Sequence, residues 1–179
     1  VNELNEHAIE TYLANRHHEL GGEIFSSLAD LRCNDVGTLT SKRLDQLKSA
    51  LSNLPETGLA FTDKDGSTLD VLAGGPPCQG FSGIGIRRSY SVDRQDIPSN
   101  QLYLRMADVI DQLKPRIFLF ENVRGLLWAK WTREGGEKIW PDVLFRFRSI
   151  DGYTVRWTLV HAKNYGVAQN RPRVLLVGI

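Results

Sequence analysis

Apolar residues recur every three or four positions in several segments of the chain, a spacing that places them on one face of an α-helix. This pattern predicts helices over residues 5–15, 41–54, 102–113 and 141–150. Ser41 stands where the second helix begins and is a suitable N-cap. Pro55 and Pro115 follow the second and third helices and are expected to end them, because proline disfavours helical geometry in the residue before it.

Short apolar runs between these helices predict β-strands over residues 23–28, 69–73, 117–120, 154–160 and 173–179. The second run is short and apolar and the third is unbroken, which suits buried strands. Strands that alternate with helices predict an α/β fold, with a parallel or mixed sheet and helices on both faces. In such sheets ligands bind beyond the carboxyl ends of the strands. Cys78 and Glu121 each come just after a predicted strand, so we expect them at one edge of the sheet.

The composition is that of a globular domain. The chain has 179 residues, of which 41% are hydrophobic and 24% are charged, and these values exclude a disordered chain. No apolar run approaches the roughly 20 residues that span a bilayer. Two cysteines do not form a disulfide framework, so we expect a reducing cytoplasm as the setting. The net charge of +1 neither supports nor excludes a nucleic-acid partner.

Two side chains stand out chemically. Cys78 follows a stiff Gly-Gly-Pro-Pro turn, residues 74–77, which can aim a reactive thiol. Glu121 follows a strand, and a carboxyl group at a partly desolvated edge can donate a proton near neutral pH. The alternatives are an ordinary buried cysteine and a glutamate that points to water or caps the next helix. Spacing alone leaves both alternatives open.

Three short motifs in this order resemble those of the cytosine-5 DNA methyltransferases. Residues 76–82 (PPCQGFS) resemble the family's Pro-Cys-Gln motif, residues 121–123 (ENV) its Glu-Asn-Val motif, and residues 169–173 (QNRPR) its Gln-x-Arg-x-Arg motif. Residues 100–102 (NQL) and 2–5 (NELN) match two further segments. The resemblance implies a Rossmann-like S-adenosylmethionine-dependent methyltransferase sheet, truncated at both ends.

The resemblance also implies a catalytic set. Cys78 would add as a thiolate to carbon 6 of a cytosine that has left the duplex, since stacked bases hide the ring. Glu121 would hydrogen-bond ring nitrogen 3, and Arg173, with Arg171 in the same motif, would stabilise negative charge near the exocyclic oxygen. Carbon 5 would then take the methyl group of S-adenosylmethionine, and Cys78 would be eliminated.

Binding residues follow from the same resemblance. Glu3 would hold the cofactor's ribose, and Leu4 would pack on adenine, where many relatives have an aromatic residue. The remaining cofactor contacts would be Asp30, Pro76, Asn100 and Leu102, although a helix N-cap is the alternative for Asn100. Contacts to double-stranded DNA would come from Gln79, Ser82, Arg87 and Arg88. The four tryptophans suit core or surface packing, or stacking on bases.

Two parts of the family pattern are missing from residues 1–179. No Phe-x-Gly-x-Gly cofactor loop precedes Glu3, and no DNA-reading region follows Ile179. We therefore expect a partial catalytic domain of a bacterial or phage enzyme, from a restriction-modification system or an orphan one. The protein would be a monomer, or a second subunit would supply the missing parts. We expect it to bind no metal and to contact no membrane.

Three other functions compete with this interpretation. A tRNA cytosine-5 methyltransferase often has threonine where this chain has Ser82, which modestly favours DNA. An inactive relic of the family fits less well, because Cys78, Glu121, Arg171 and Arg173 are intact. A Cys–His hydrolase would need a histidine and an Asn or Asp around Cys78, and Glu121 does not suit that role.

Overall fold

The computed structural model describes residues 5–20, 33, 35–52, 69–77, 93–132 and 135–179. The chain forms two compact units, Val1–Pro55 and Glu56–Ile179. In these described segments no helix is both long and apolar enough to cross a membrane. The predicted strand over residues 23–28 lies outside the described residues.

The first unit contains helices α1 (Glu6–Leu20) and α2 (Ser41–Ser52). Asn5 caps α1, since its Oδ1 accepts a hydrogen bond from Ala8 N at 3.2 Å. The prediction that Ser41 caps α2 is wrong. Thr40 does so, because its Oγ1 accepts from Arg43 N at 3.3 Å, and Ser41 is already the first helical residue.

The second unit is built on a four-stranded sheet. Its strands are β1 (Val71–Gly74), β2 (Ile117–Val123), β3 (Val155–His161) and β4 (Pro172–Gly178), and its helices are α3 (Leu102–Leu113) and α4 (Ile139–Arg148). The strand order is β1-β2-β4-β3, with β1 parallel to β2 and β4 antiparallel to both of its neighbours. The predicted α/β fold with a mixed sheet is confirmed.

This topology brings several segments to one side of the sheet. The carboxyl ends of β1, β2 and β3 and the amino end of β4 all lie at the same edge. We call this side the motif edge. It carries residues 75–77, 121–128 and 161–173, and therefore parts of all three sequence motifs.

Both described helices of the second unit pack on one face of the sheet. Phe118 and Phe120 alternate along β2 and are fully buried, and Phe147 of α4 lies 5.6 Å and 5.0 Å from their ring centroids. α3 contributes Met106, Ala107 and Ile110 to the same cluster. Helices on the other face of the sheet stay a prediction.

Two strands differ from the sequence prediction. β1 is short and half-exposed, with Val71 54% exposed, whereas its apolar run predicted full burial. β2 continues through Val123, so Glu121 and Asn122 lie within the strand and not after it. The reason is β4, which pairs with β2 as far as Val123 opposite Arg173 and extends the ladder of hydrogen bonds.

Candidate active site

The pairing of β1 with β2 places the end of β1 against Glu121. Gly74 is in register with Phe120, so Gly75 follows beside Glu121. A Cβ atom on Gly75 would lie 3.0 Å from Oε2 of Glu121 and 3.6 Å from its backbone oxygen. The missing side chain at position 75 is thus what allows the carboxylate to occupy this place.

Glu121 is bound on its other side by Arg173. The Nε atom of Arg173 lies 2.6 Å from Oε1 of Glu121, and the two side chains are 19% and 38% exposed. Arg173 also donates from Nη1 to the backbone oxygen of Pro172 at 2.8 Å. Because Val123 is opposite Arg173, Glu121 is its diagonal neighbour on the same face. The pairing register of β2 with β4 therefore brings these two charged side chains into contact.

Asn122 faces the opposite side of β2 and is 4% exposed. Its Nδ2 donates to the backbone oxygen of Pro76 at 3.2 Å, and its Oδ1 accepts from Val123 N at 2.9 Å. A buried amide with these two partners ties the Pro76–Pro77 segment to the middle strand. Cys78 is the next residue along this segment.

Pro76 and Asn122 also line a narrow cleft of about 10 Å³, room for about one water molecule, together with Asn100 and Tyr103. Asn100 is 2% exposed and lies in a 3-10 turn, Pro98–Gln101. The N-cap alternative for Asn100 is wrong, since Gln101 occupies the N-cap position of α3. Burial raises the pKa of Tyr103, and the negative charge of Asp142 raises it further.

The arginine motif is held by a short loop between β3 and β4. The 3-10 turn Ala162–Tyr165 ends at Gly166, whose φ of 80° is left-handed and suits glycine. Ala162 N donates to the backbone oxygen of Arg171 at 3.1 Å, and Nδ1 of His161 lies 3.1 Å from Oδ1 of Asn170. The Arg171 residue itself is exposed.

The structure thus brings together some of the predicted site residues and separates others. Glu121 and Arg173 form an ion pair, and Pro76 and Asn100 share the cleft. Leu102 lines a separate surface hollow with Pro98 and Arg105. The following predicted residues lie outside the described residues: Glu3, Leu4, Asp30, Cys78, Gln79, Ser82, Arg87 and Arg88.

Sequence reasoning gave no role of their own to three residues that shape the candidate site, although two of them lie in the turn and the motif it named. They are Gly75, Asn122 and Tyr103. A polar residue inside an apolar strand was a usable signal for Asn122, because buried amides need partners. Over the part of the chain that the structure describes, no three His, Cys, Asp or Glu residues lie close enough to hold a metal ion.

Comparison with known proteins identifies the family. The Type II methyltransferase M.Sau96I of Staphylococcus aureus is 34% identical over 119 residues, which are 66% of this chain and 24% of that protein. The orphan methyltransferase M.Rho11sI of Bacillus phage rho11s is 27% identical over 177 residues, 99% of this chain and 27% of that protein. This chain therefore spans about a quarter of their length.

A solved structure of a DNA modification methyltransferase encoded within an E. coli prophage shares the fold. Its TM-score is 0.61 at 23% identity, and the match covers 99% of this chain and 38% of that one. The family model of the C-5 cytosine-specific DNA methylases matches residues 1–179. The chain belongs to the C-5 cytosine-specific DNA methylase family.

Proposed function

We propose that the protein carrying this chain methylates carbon 5 of cytosine in double-stranded DNA through a covalent adduct with Cys78. The observation that carries the proposal is the Glu121–Arg173 ion pair, which lies beside the Gly75–Pro77 segment that leads into Cys78. The Glu121 carboxylate, the Arg173 guanidinium and the backbone segment that precedes Cys78 therefore lie at one edge of the sheet. In this proposal the chain forms part of the catalytic domain.

Cys78 is the nucleophile of the reaction. A free thiol titrates near about 8.5, and only the thiolate adds efficiently to carbon 6 of the cytosine. The residue before it, Pro77, has a fixed φ angle, and Pro76 is bound by Asn122. These two constraints hold the backbone segment that leads into Cys78.

Glu121 and Arg173 act on the pyrimidine ring. Glu121, in its protonated form, donates a hydrogen bond to ring nitrogen 3, and the positive charge this places on the ring makes carbon 6 more electrophilic when the sulfur attacks. Arg173 orients the Glu121 carboxylate and stabilises the charge that develops on the exocyclic oxygen. Addition at carbon 6 makes carbon 5 nucleophilic. Once carbon 5 has gained a methyl group, loss of its proton and elimination of Cys78 restore the ring and the enzyme.

S-adenosylmethionine, when bound, supplies an electrophilic methyl group. By resemblance, Pro76 and Asn100 contact the polar amino-acid end of this cofactor, and Asn100 offers a buried amide for that contact. By resemblance, Glu3, Leu4 and Asp30 hold its ribose and adenine. Leu102 packs outside the cleft that Pro76 and Asn100 line, which makes it a weaker candidate for cofactor contact.

Double-stranded DNA is the proposed substrate, in a bacterial or phage setting like that of the relatives named above. The test is methyl transfer by the complete protein that carries this chain. Labelled S-adenosylmethionine is supplied with duplex DNA or with tRNA, and the label on carbon 5 of cytosine is measured. Label in duplex DNA supports the proposal. Label in tRNA alone would favour the RNA branch of the family, and label in neither would contradict both.

A further inference from the structure

A rigid turn follows β2 at the motif edge. The 3-10 turn Arg124–Leu127 is closed by hydrogen bonds from Trp128 N and Ala129 N to the backbone oxygen of Gly125, at 3.2 Å and 3.0 Å. Leu126 is 1% exposed and Ala129 is 9% exposed, so the turn is anchored in the core on both sides. This anchoring fixes which of its side chains point outward.

The outward side chains are Arg124 and Trp128. Trp128 is 57% exposed, and the guanidinium carbon of Arg124 lies 5.8 Å from the centre of its ring. The other tryptophans have protein partners. Trp131 bonds Asp142 at 2.5 Å, and Trp140 and Trp157 pack edge to face at 5.0 Å. Trp128 thus exposes a large aromatic surface to solvent, and the anchored backbone of the turn keeps the ring in this exposed position.

The position and charge of this pair point to a phosphate-bearing partner. The turn packs against β4, whose first residues include Arg173. The described part of the motif edge carries Arg124, Lys163 and Arg171, while its acidic residue, Glu121, is neutralised by Arg173. A positive edge with an exposed ring combines the two features that bind a nucleic-acid strand: charge for phosphates and an aromatic face for stacking.

We propose that Arg124 and Trp128 contact the DNA strand next to the target cytosine. Arg124 pairs with a backbone phosphate, and the Trp128 ring packs on the nucleotide beside the one that has left the stack. Removal of a base uncovers the face of its neighbour, and an aromatic ring can cover that face again. This inference rests on the proposed function, since it requires duplex DNA at the motif edge.

A purely structural role would explain the same contact differently. The cation–π pair would then stabilise the turn by a modest amount and would have no effect on DNA. The two roles separate cleanly, because a structural pair affects thermal stability whereas a DNA contact affects affinity and its dependence on salt.

The experiment compares variants of the complete protein that carries this chain. DNA affinity is measured by fluorescence anisotropy with a labelled duplex that the wild type methylates, at several salt concentrations. The test variants are Trp128→Ala, Trp128→Phe and Arg124→Ala. The controls are Phe145→Ala and Arg148→Ala, an exposed aromatic and an exposed cation in the last turn of α4, which leads to the opposite edge of the sheet.

We expect Trp128→Ala to weaken binding about 10-fold and Trp128→Phe to retain most of the affinity. Arg124→Ala should weaken binding and reduce the slope of log affinity against log salt by about one. Both controls should match the wild type. At saturating DNA, the Trp128→Ala variant should still form the Cys78 adduct with a 5-fluorocytosine duplex.

Three results would overturn the inference. Wild-type affinity and salt slope in both alanine variants, with the adduct intact, would refute it and leave the proposed function standing. A loss of affinity that only follows a fall in melting temperature, and that Trp128→Phe does not restore, would assign the pair a structural role. A wild-type protein that forms no adduct with DNA would refute the proposed function and this inference together.

Discussion

Arg173 donates from Nε to Oε1 of Glu121 at 2.6 Å, across the pairing of β2 with β4. The contact joins two sequence motifs that lie far apart along the chain. It leaves Oε2 of Glu121 facing Gly75, at the end of the neighbouring strand β1. The carboxylate is therefore held by Arg173 on one side and lies against Gly75 on the side where the Cys78 segment begins.

Removal of the guanidinium should impair catalysis more than stability. Arg173→Ala should lower kcat about 10²- to 10³-fold, because a donor aimed at developing charge is lost and Glu121 is no longer oriented. Arg173→Lys should recover part of the rate. Steady-state methylation of duplex DNA measures both. Arg156→Ala, an exposed arginine on β3, is the matched control and should keep wild-type kcat. Equal rates for Arg173→Ala and wild type would contradict the assignment.

A single methyl group at position 75 should disturb the site. In Gly75→Ala the new Cβ would lie 3.0 Å from Oε2 of Glu121, so the carboxylate must move by a few tenths of an ångström. Small misplacements of reacting groups are costly, and we expect kcat to fall about 10-fold. The melting temperature should change little, since a flexible carboxylate can give way. Unchanged kcat would show that the contact has no catalytic role.

Loss of the Asn122 side chain should destabilise the second unit. In Asn122→Ala the backbone oxygen of Pro76 loses its donor in a part-buried place, which costs about 1–3 kcal/mol. Urea unfolding monitored by tryptophan fluorescence measures this loss. Methylation should fall as well, because Pro76 and Pro77 would no longer hold the Cys78 segment in place. A variant with wild-type stability and activity would refute the proposed link.

Alkaline conditions should weaken the fold through Tyr103. Burial, and then the charge of Asp142, hold the pKa of Tyr103 above 10.0 in the folded state. An unfolded tyrosine ionises near about 10, so the unfolded state loses its proton first. Stability from this residue is therefore complete below pH 10 and declines as the pH rises through the folded-state pKa. Unfolding free energies from pH 9 to 11.5 should fall less steeply for Tyr103→Phe. Identical slopes would contradict this account.

Much of the fold could be predicted from the hydrophobic pattern. The helices and strands of the second unit lie within two residues of the predicted bounds, apart from the extension of β2. That extension could not be predicted, because residues 121 and 122 are polar and their place in the strand depends on pairing with β4. Likewise, a register that sets Val123 opposite Arg173 is a long-range property that no local pattern specifies.

The sequence named residues of the candidate site but not the contacts between them. The motifs identified Glu121 and Arg173, and the topology brings both to the expected edge. The cofactor assignment of Leu102 came from the resemblance of residues 100–102 to a family motif. The 3-10 turn directs the two residues to different places, one to the cleft and one to a surface hollow. The sequence left stacking on bases open for all four tryptophans but could not single out Trp128, since exposure depends on the anchoring of Leu126 and Ala129.

The most direct test of the account traps the reaction on its nucleophile. The complete protein is incubated with S-adenosylmethionine and a duplex containing 5-fluorocytosine, which blocks loss of the group at carbon 5, and the adduct is mapped by mass spectrometry. The chain offers its own control, because Cys33 is buried and its thiol lies 2.9 Å from the backbone oxygen of Asp35. We predict an adduct on the peptide containing Cys78 that persists in Cys33→Ser and disappears in Cys78→Ala. An adduct that survives Cys78→Ala, or none in a wild type that methylates DNA, would contradict the central claim.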